Sequence, residues 1–340
     1  MGEKKSPHNK TTMENIIVTG GAGFIGSAVV EYFLENTDYH IIVIDKLTYA
    51  SNDYVSNLSK TSSRVELVEE CIQNRYYLRY LLHTRHPIGI IHLAAESHVD
   101  RSINSPRPFI ENNIIGTFEL LEAIRSYKNE TGNDVRFHHV STDEVFGDLE
   151  LTDDKFSEDT RYNPSSPYSA SKAASDHLVR AYHRTYGLDT VITNCSNNYG
   201  PRQHSEKLIP CIISKALNNE PLPVYGNGKQ IRDWLYVEDH ASALYKVFAE
   251  GKSGETYCIG GNEEKQNIEV IQTILEIIEQ ETNLRNRREL ITYVKDRPGH
   301  DLRYAIDTSK IERELGWKPK YSFEEGIKNT IKHFFKKFNL

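Results

Sequence analysis

The feature that most constrains the fold is the run Thr19-Gly20-Gly21-Ala22-Gly23-Phe24-Ile25-Gly26. It follows an apolar stretch at 15–19 and opens a helical pattern at 24–35. Closely spaced glycines at a strand-to-helix turn permit a tight bend, a near approach of backbone to a pyrophosphate, and close helix–sheet packing. The helix start presents unpaired N–H groups and a positive dipole end to phosphate oxygens. A second apolar stretch, at 40–45, ends in Asp45, about 20 residues past the glycines, where a carboxylate suits ribose hydroxyls. No arginine stands at Asp45 or the next position to receive a 2′-phosphate, although Lys46 follows, so the pattern favours NAD over NADP. A glycine motif alone is equally a simple turn; the strand before it and the helix after it are what give it meaning.

Beyond this turn, β-rich runs at 15–19, 40–45, 64–68, 88–93, 136–141 and 190–194 alternate with helical patterns at 24–35, 72–83, 109–128 and 168–186. Several strands are unbroken apolar runs, which suits parallel strands covered on both faces. The expected class is α/β: a Rossmann-type, doubly wound parallel sheet with right-handed crossovers. After Cys195 the loops gain glycine and proline, and helical patterns recur at 208–218, 237–250, 267–281 and 322–338. We therefore expect an NAD-binding domain over 13–195, rejoined by about 233–260, and a smaller C-terminal α/β substrate domain made mainly from 196–340. A ligand should lie between that domain and the strand C-termini of the first. Residues 1–12 are polar, lack an apolar segment, and read as a disordered leader rather than a signal peptide.

Composition narrows the partners. The 340 residues carry 48 acidic against 41 basic side chains, a formal charge of -7, which argues against a broad nucleic-acid-binding surface. A small anion held by a few arginines remains compatible. No run approaches 18 apolar residues, so no membrane span is expected. Cys71, Cys195, Cys211 and Cys258 are far apart and suit reduced thiols of a cytoplasmic protein. No metal site is expected: His138 and His139 are adjacent on a strand and face opposite sides, while His98 and Asp100 have no further ligands nearby in sequence.

Tyr168-Ser169-Ala170-Ser171-Lys172 sets a phenol and an ammonium at i, i+4, on one face of a helix started by Pro167. A nearby ammonium favours phenolate, so Tyr168 could serve as a base nearer neutral pH. The same spacing recurs at Tyr225-Gly226-Asn227-Gly228-Lys229, but two glycines make that segment a loop. Taken alone, Tyr168 reads equally as a half-buried helical tyrosine; with the glycine turn, the chemical reading prevails.

These residues resemble the extended short-chain dehydrogenase/reductase family. The glycine run, Asp45, His92-Leu93-Ala94-Ala95 and the Tyr-Lys pair stand in its order. The likeness is closest to its nucleotide-sugar dehydratases. It is carried by D-K-L-T-Y-A from Asp45, A-A-E-S-H-V-D-R-S-I from Ala94, S-T-D-E-V-F-G from Ser141, N-C-S-N-N-Y-G-P from Asn194, R-D-W-L-Y-V-E-D-H from Arg232 and D-R-P-G-H-D-L-R-Y-A-I-D from Asp296. The family tyrosine of the third segment is Phe146 here. An acid usual beside the adenine is replaced by Cys71, ahead of Ile72, which removes an acceptor for the adenine amine.

The resemblance implies 4,6-dehydration of a nucleotide hexose, with dTDP-glucose the expected substrate and NAD the cofactor. Tyr168, aided by Lys172, would take the 4-hydroxyl proton as hydride leaves C4. Glu144 would remove the C5 proton, Asp143 would protonate the departing 6-hydroxyl, and Thr142 would hydrogen-bond the 4-oxygen. Cofactor contacts implied are Gly20, Gly23, Phe24, Ile25, Gly26, and Asp45, Lys46, Leu47 and Thr48. Further along the chain they are Cys71, Ile72, Leu93, Ala94, Ala95, Asn112, Lys172 and Asn198. Substrate contacts implied are Ser97, Asn197, Lys207, Leu208, Pro223, Val224, Tyr225, Arg232, Asn267, Asp296, Arg297 and His300. Arg232 and Arg297 would offer guanidinium forks to a diphosphate. A homodimer through a four-helix bundle is also implied, with 109–128 and 168–186 as its helices. A UDP-sugar 4-epimerase, which needs no Asp143–Glu144 pair, and a non-catalytic NAD-sensing protein are the alternatives.

Overall fold

The computed structural model describes residues 13–296 and 300–338, so the expected leader at 1–12 and the expected contact Arg297 lie outside the described residues. Among the described residues, twelve strands run in chain order: β1 Asn15–Thr19, β2 His40–Asp45, β3 Val65–Glu69, β4 Gly89–His92, β5 Arg136–Thr142, β6 Thr190–Cys195, β7 Asn197–Tyr199, β8 Leu222–Tyr225, β9 Ile231–Tyr236, β10 Thr256–Ile259, β11 Glu264–Gln266 and β12 Ile291–Val294. Seven form one parallel sheet in the order β10-β6-β5-β4-β1-β2-β3. The expected doubly wound α/β class is what the chain adopts.

The apolar runs explain the layering. Side chains alternate across a strand. Ile16, Val18, Ile41 and Val43 therefore join one core, under the helices Phe24–Asn36 and Val237–Glu250. Ile17, Ile42, Ile44 and Ile90 join the other, under Arg75–Arg85, Gly116–Thr131 and Pro167–Tyr186. Each such side chain contributes roughly 1.5–3 kcal/mol on burial, and both faces must be apolar for the layers to close. The chain order reverses between β1 and β4, which opens a crevice at the strand C-termini.

A third core unites the helices Leu208–Asn218, Asn267–Glu281 and Phe323–Phe338 with Tyr199, Trp234 and Tyr236. Two small sheets accompany it, β11-β9-β7 and β12-β8. The chain also returns to the first unit. β10, absent from the strands read in the sequence, adds an edge to the large sheet, and the helix Val237–Glu250 covers its face.

Two helices differ from expectation. The pattern at 72–83 starts helix only at Arg75, because Asn74 caps it by accepting the Tyr77 N–H. The pattern at 109–128 is interrupted by a π-helical turn, Ile110–Ile115, before Gly116–Thr131. Gly116 allows this junction: a Cβ there would stand 2.5 Å from the Ile72 Cδ1. Within the wide turn, Asn113 is buried and donates to Ser171 Oγ at 2.8 Å and the Glu96 carbonyl at 2.9 Å.

Candidate active site

The crevice is built first from backbone. Gly20 has φ +70°, and a Cβ on it would meet the Ala94 nitrogen at 2.6 Å. A Cβ on Gly26 would meet the Gly20 carbonyl oxygen at 2.1 Å, whereas on Gly23 it would meet only that oxygen, at 3.3 Å. Gly20 and Gly26 thus let β1, β4 and the first helix close on each other, and Gly23 leaves the turn bare on its outer side. The helix Phe24–Asn36 has no side-chain cap and no acidic residue in its first turn. Its free N–H groups suit an anion. Asp45 locks the turn from β2: its carboxylate accepts from the Ala22 N–H at 3.0 Å, the Leu47 N–H at 2.8 Å and Ser51 Oγ at 3.3 Å. The bare glycine turn, the uncapped helix and the carboxylate fit a dinucleotide.

Several other expected cofactor residues are held by contacts near the ends of the neighbouring strands. The Leu93 and Ala94 N–H groups bond the Thr19 carbonyl and hydroxyl. Lys46 donates to Asn112 Oδ1 at 2.8 Å across the mouth. At the end of β3, Cys71 is half-buried, and Glu70 is engaged locally by the Cys71 N–H and Asn74. Asn198 links β7 to His240.

The chemical groups converge from two elements. Ser166 and Ser169 form a capping box, Pro167 takes the first turn, and Gly187 ends the helix at φ 63°. This fixes Tyr168 and Lys172 as buried side chains on one helical face. Lys172 Nζ donates to the Val140 carbonyl at 2.8 Å. At the C-terminal end of β5, Thr142 starts a short 3₁₀ turn, Asp143–Phe146, by accepting the Glu144 N–H. The Thr142 hydroxyl is also hydrogen-bonded to the Tyr168 phenol. Thr142, Asp143, Glu144 and Tyr168 are therefore one cluster.

Its electrostatics are set by burial. Asp143 is 2 % exposed, and burial, then Glu144 and Asp233, push its carboxyl well above the ordinary range. Burial thus favours its protonated form, and its Oδ2 has no hydrogen-bond partner among the described residues. Tyr168 departs from expectation. Burial, then the Glu144 charge, push its phenol well above the ordinary 10. The chain by itself keeps this phenol protonated; burial outweighs the helical neighbour.

On the far side, β8 carries Pro223, buried Val224 and exposed Tyr225. Asp296 joins this wall, accepting from Gln230 at 2.9 Å and lying 2.6 Å from His300 Nδ1. Asn267 opens the helix beside it. Lys207 and Leu208 begin another helix, and Lys207 Nζ donates to the Ser97 carbonyl at 3.3 Å. Asn197 Oδ1 is buried without a partner. Arg232 is buried, gives N–H groups to the Ile231 and Asp301 carbonyls, and stacks 4.3 Å over Tyr304. Its charge bears on Asp143.

Sequence reasoning missed three residues here. Tyr304, raised by burial and the Glu144 charge, sits beside the acid pair. Asp176 and His139 form a buried pair behind Lys172. The eight-residue step from Tyr168 to Asp176 on one helix was the available signal. Among the described residues, no group of three His, Cys, Asp or Glu side chains could hold a metal.

A family model described as GDP-mannose 4,6 dehydratase matches residues 17–330. A dTDP-glucose 4,6-dehydratase of Neisseria gonorrhoeae is 53% identical over 335 residues, covering 94% of this chain and 95% of its own. Crystal structures of dTDP-glucose 4,6-dehydratases from Bacillus anthracis and Streptomyces venezuelae, each with NAD bound, are both 42% identical, cover 96% of this chain and 98% of theirs, and superpose with TM-scores of 0.86 and 0.87. With the acid pair, the phenol and the glycine turn all in one crevice, the chain belongs to the dTDP-glucose 4,6-dehydratase family.

Proposed function

We propose that the protein is a hydro-lyase that converts dTDP-glucose to dTDP-4-keto-6-deoxyglucose with tightly held NAD. The observation that carries this reading is the buried Asp143, its carboxyl pushed up by burial, beside Glu144, at the end of β5 and against Tyr168. An oxidation or epimerisation at C4 alone has no use for that pair.

Gly20, Gly23, Gly26 and the helix start would hold the pyrophosphate, and Asp45 a ribose. Cys71 and Ile72 would border the adenine. Lys172, Asn198 and Asn112 would complete the inner wall. When bound, NAD would supply a hydride acceptor for C4 and a hydride donor for C6. Tyr168 would take the proton of the 4-hydroxyl as a phenolate, the form that the Lys172 ammonium and the cationic ring of bound NAD favour against burial, with Thr142 hydrogen-bonded to the 4-oxygen. The C4 ketone that results acidifies C5–H. Glu144 takes the C5 proton, and the electron pair left at C5 expels the 6-hydroxyl, which leaves as water with the Asp143 proton. Glu144 then gives its proton back to C5 as C6 is reduced. Two neighbouring carboxyl groups held in opposite protonation states are what such an elimination requires. Arg232, the Pro223–Tyr225 wall, Asn197, Asn267, Asp296 and His300 bind the nucleotide diphosphate, together with Ser97, Lys207 and Leu208. Residues 13–195 with β10 form the cofactor unit. We further propose a homodimer through Gly116–Thr131 and Pro167–Tyr186, a cytoplasmic setting, and a place ahead of deoxysugar assembly such as that of rhamnose.

The experiment is incubation with dTDP-, UDP- and GDP-glucose. A 4-ketosugar with alkaline absorbance from dTDP-glucose is expected. An isomeric hexose would mean an epimerase, and absence of any turnover an NAD-sensing protein.

A further inference from the structure

The helical face bearing Tyr168 and Lys172 continues one turn further to Asp176. That carboxyl group is wholly buried. Its Oδ2 accepts from Tyr162 O–H at 2.7 Å, Ser141 Oγ at 2.9 Å and Asn194 Nδ2 at 3.3 Å. Its Oδ1 lies 3.1 Å from His139 Nε2. These donors come from β5, β6 and the loop before the catalytic helix, and Tyr162 in turn accepts from the Arg180 guanidinium at 2.8 Å. A buried carboxylate with several donors is held as an anion: against burial, the contact with His139 first, then Lys172 and the Tyr162 hydroxyl, keep its carboxyl below the ordinary range. His139 does not cancel that charge: burial lowers its imidazole to about 4, so it is neutral in the working range.

Lys172 needs such an anion. Its ammonium is buried and burial alone lowers its affinity for the proton. Two groups act in the other direction, Asp176 and then Cys195. Burial raises the Cys195 thiol to about 12, so it carries no charge. The remaining titratable neighbours are His92 and His139, both kept neutral by burial. Asp143 and Glu144 bear on Tyr168, not on Lys172. Asp176 is thus the one anion among the groups that shift Lys172.

We propose that Asp176 is a positioning residue, the buried counter-charge that keeps Lys172 an ammonium on the Tyr168 face while the phenol gains and loses its proton. The proposal rests on the reading that Tyr168 is the proton acceptor. Without Asp176, a dry pocket favours the neutral amine, and a neutral amine gives no electrostatic help to a phenolate.

The test is a titration of ¹³C-lysine-labelled full-length protein by NMR, with the Lys172 resonance assigned through Lys172→Arg. Alongside it, the pH profile of the first oxidation of dTDP-glucose is followed by reduced-cofactor absorbance in a single turnover. Asp176→Asn is expected to move the Lys172 titration down by about one pH unit or more. The alkaline limb of the profile should move with it and the acid limb stay in place, while Asp176→Glu restores both. An unmoved Lys172 titration in folded Asp176→Asn, or lost amplitude with both limbs fixed, overturns the proposal. If Asp176→Asn does not fold, the wild-type chain decides. Lys172 still protonated well above about pH 7 supports the counter-charge, and proton loss below that overturns it. Wild-type protein that never reduces its cofactor with dTDP-glucose would refute the proposed function, and the NMR titration would then judge Asp176 by itself.

Discussion

At the scale of single residues, the site works by denying water to charge. Asp143 shows the cost. Burial holds its carboxyl well above the ordinary 3.8, so the folded chain keeps this proton where the unfolded chain has lost it. Stability contributed by this group is therefore lost as pH rises above about 4. Asp143→Asn imitates the protonated acid without that penalty. It is expected to raise Tm at pH 7 by about 1–2 °C, to make no difference below about pH 4, and to slow elimination by roughly 10²–10⁴-fold. Calorimetry at both pH values checks the first part. Its partner should separate the steps: Glu144→Gln is expected to accumulate reduced cofactor with dTDP-glucose yet release little ketosugar. Near-normal product formation by Glu144→Gln would remove it as the base. The residue types and their order were legible in the chain; the state of the Tyr168 phenol was not, because burial is a property of neighbours distant in sequence.

At the scale of elements, most of what positions the site is local. β1, β2 and β6 begin where their apolar runs begin, and the Pro167 helix starts at a cap written in four consecutive residues. The glycine turn divides its labour, and the division can be measured. Gly20→Ala forces a side chain onto the β4 backbone at a positive φ, so a loss of about 1–3 kcal/mol in urea unfolding is expected. Gly23→Ala meets only one oxygen at 3.3 Å. It should unfold like the unaltered protein without cofactor and bind NAD far more weakly by calorimetric titration. Equal destabilisation by both would assign Gly23 to the fold instead. The π turn at Ile110–Ile115 was not legible. Its sequence has ordinary helical periodicity, and the widening accompanies contacts of Asn113 with Glu96 and Ser171 made only after β4 and the Pro167 helix are in place.

At the scale of the molecule, the large sheet and the third core are joined by a chain that crosses between them more than once. The helices proposed for the dimer lie side by side, with Arg125 stacked 5.0 Å over Tyr186, itself about half exposed. Sedimentation of the full chain is expected at twice the chain mass, and Tyr186→Asp should shift it toward the single chain. A chain that sediments singly from the outset would remove the four-helix bundle. Among the described residues, no helix is long and apolar enough to cross a membrane.

Local chemistry in the chain was enough for the parallel sheet, the phosphate turn, the Tyr168–Lys172 face and the adjacent acids, because strand burial, caps and helical spacing depend on near neighbours. Three-dimensional packing alone decided which side chains lose water. It raised the Asp143 carboxyl and the Tyr168 phenol, placed Asp176 behind Lys172, and brought β10 back to the sheet edge from far along the chain. Desolvation is collective: each group's charge depends on surfaces supplied by segments that meet only when the whole molecule has closed.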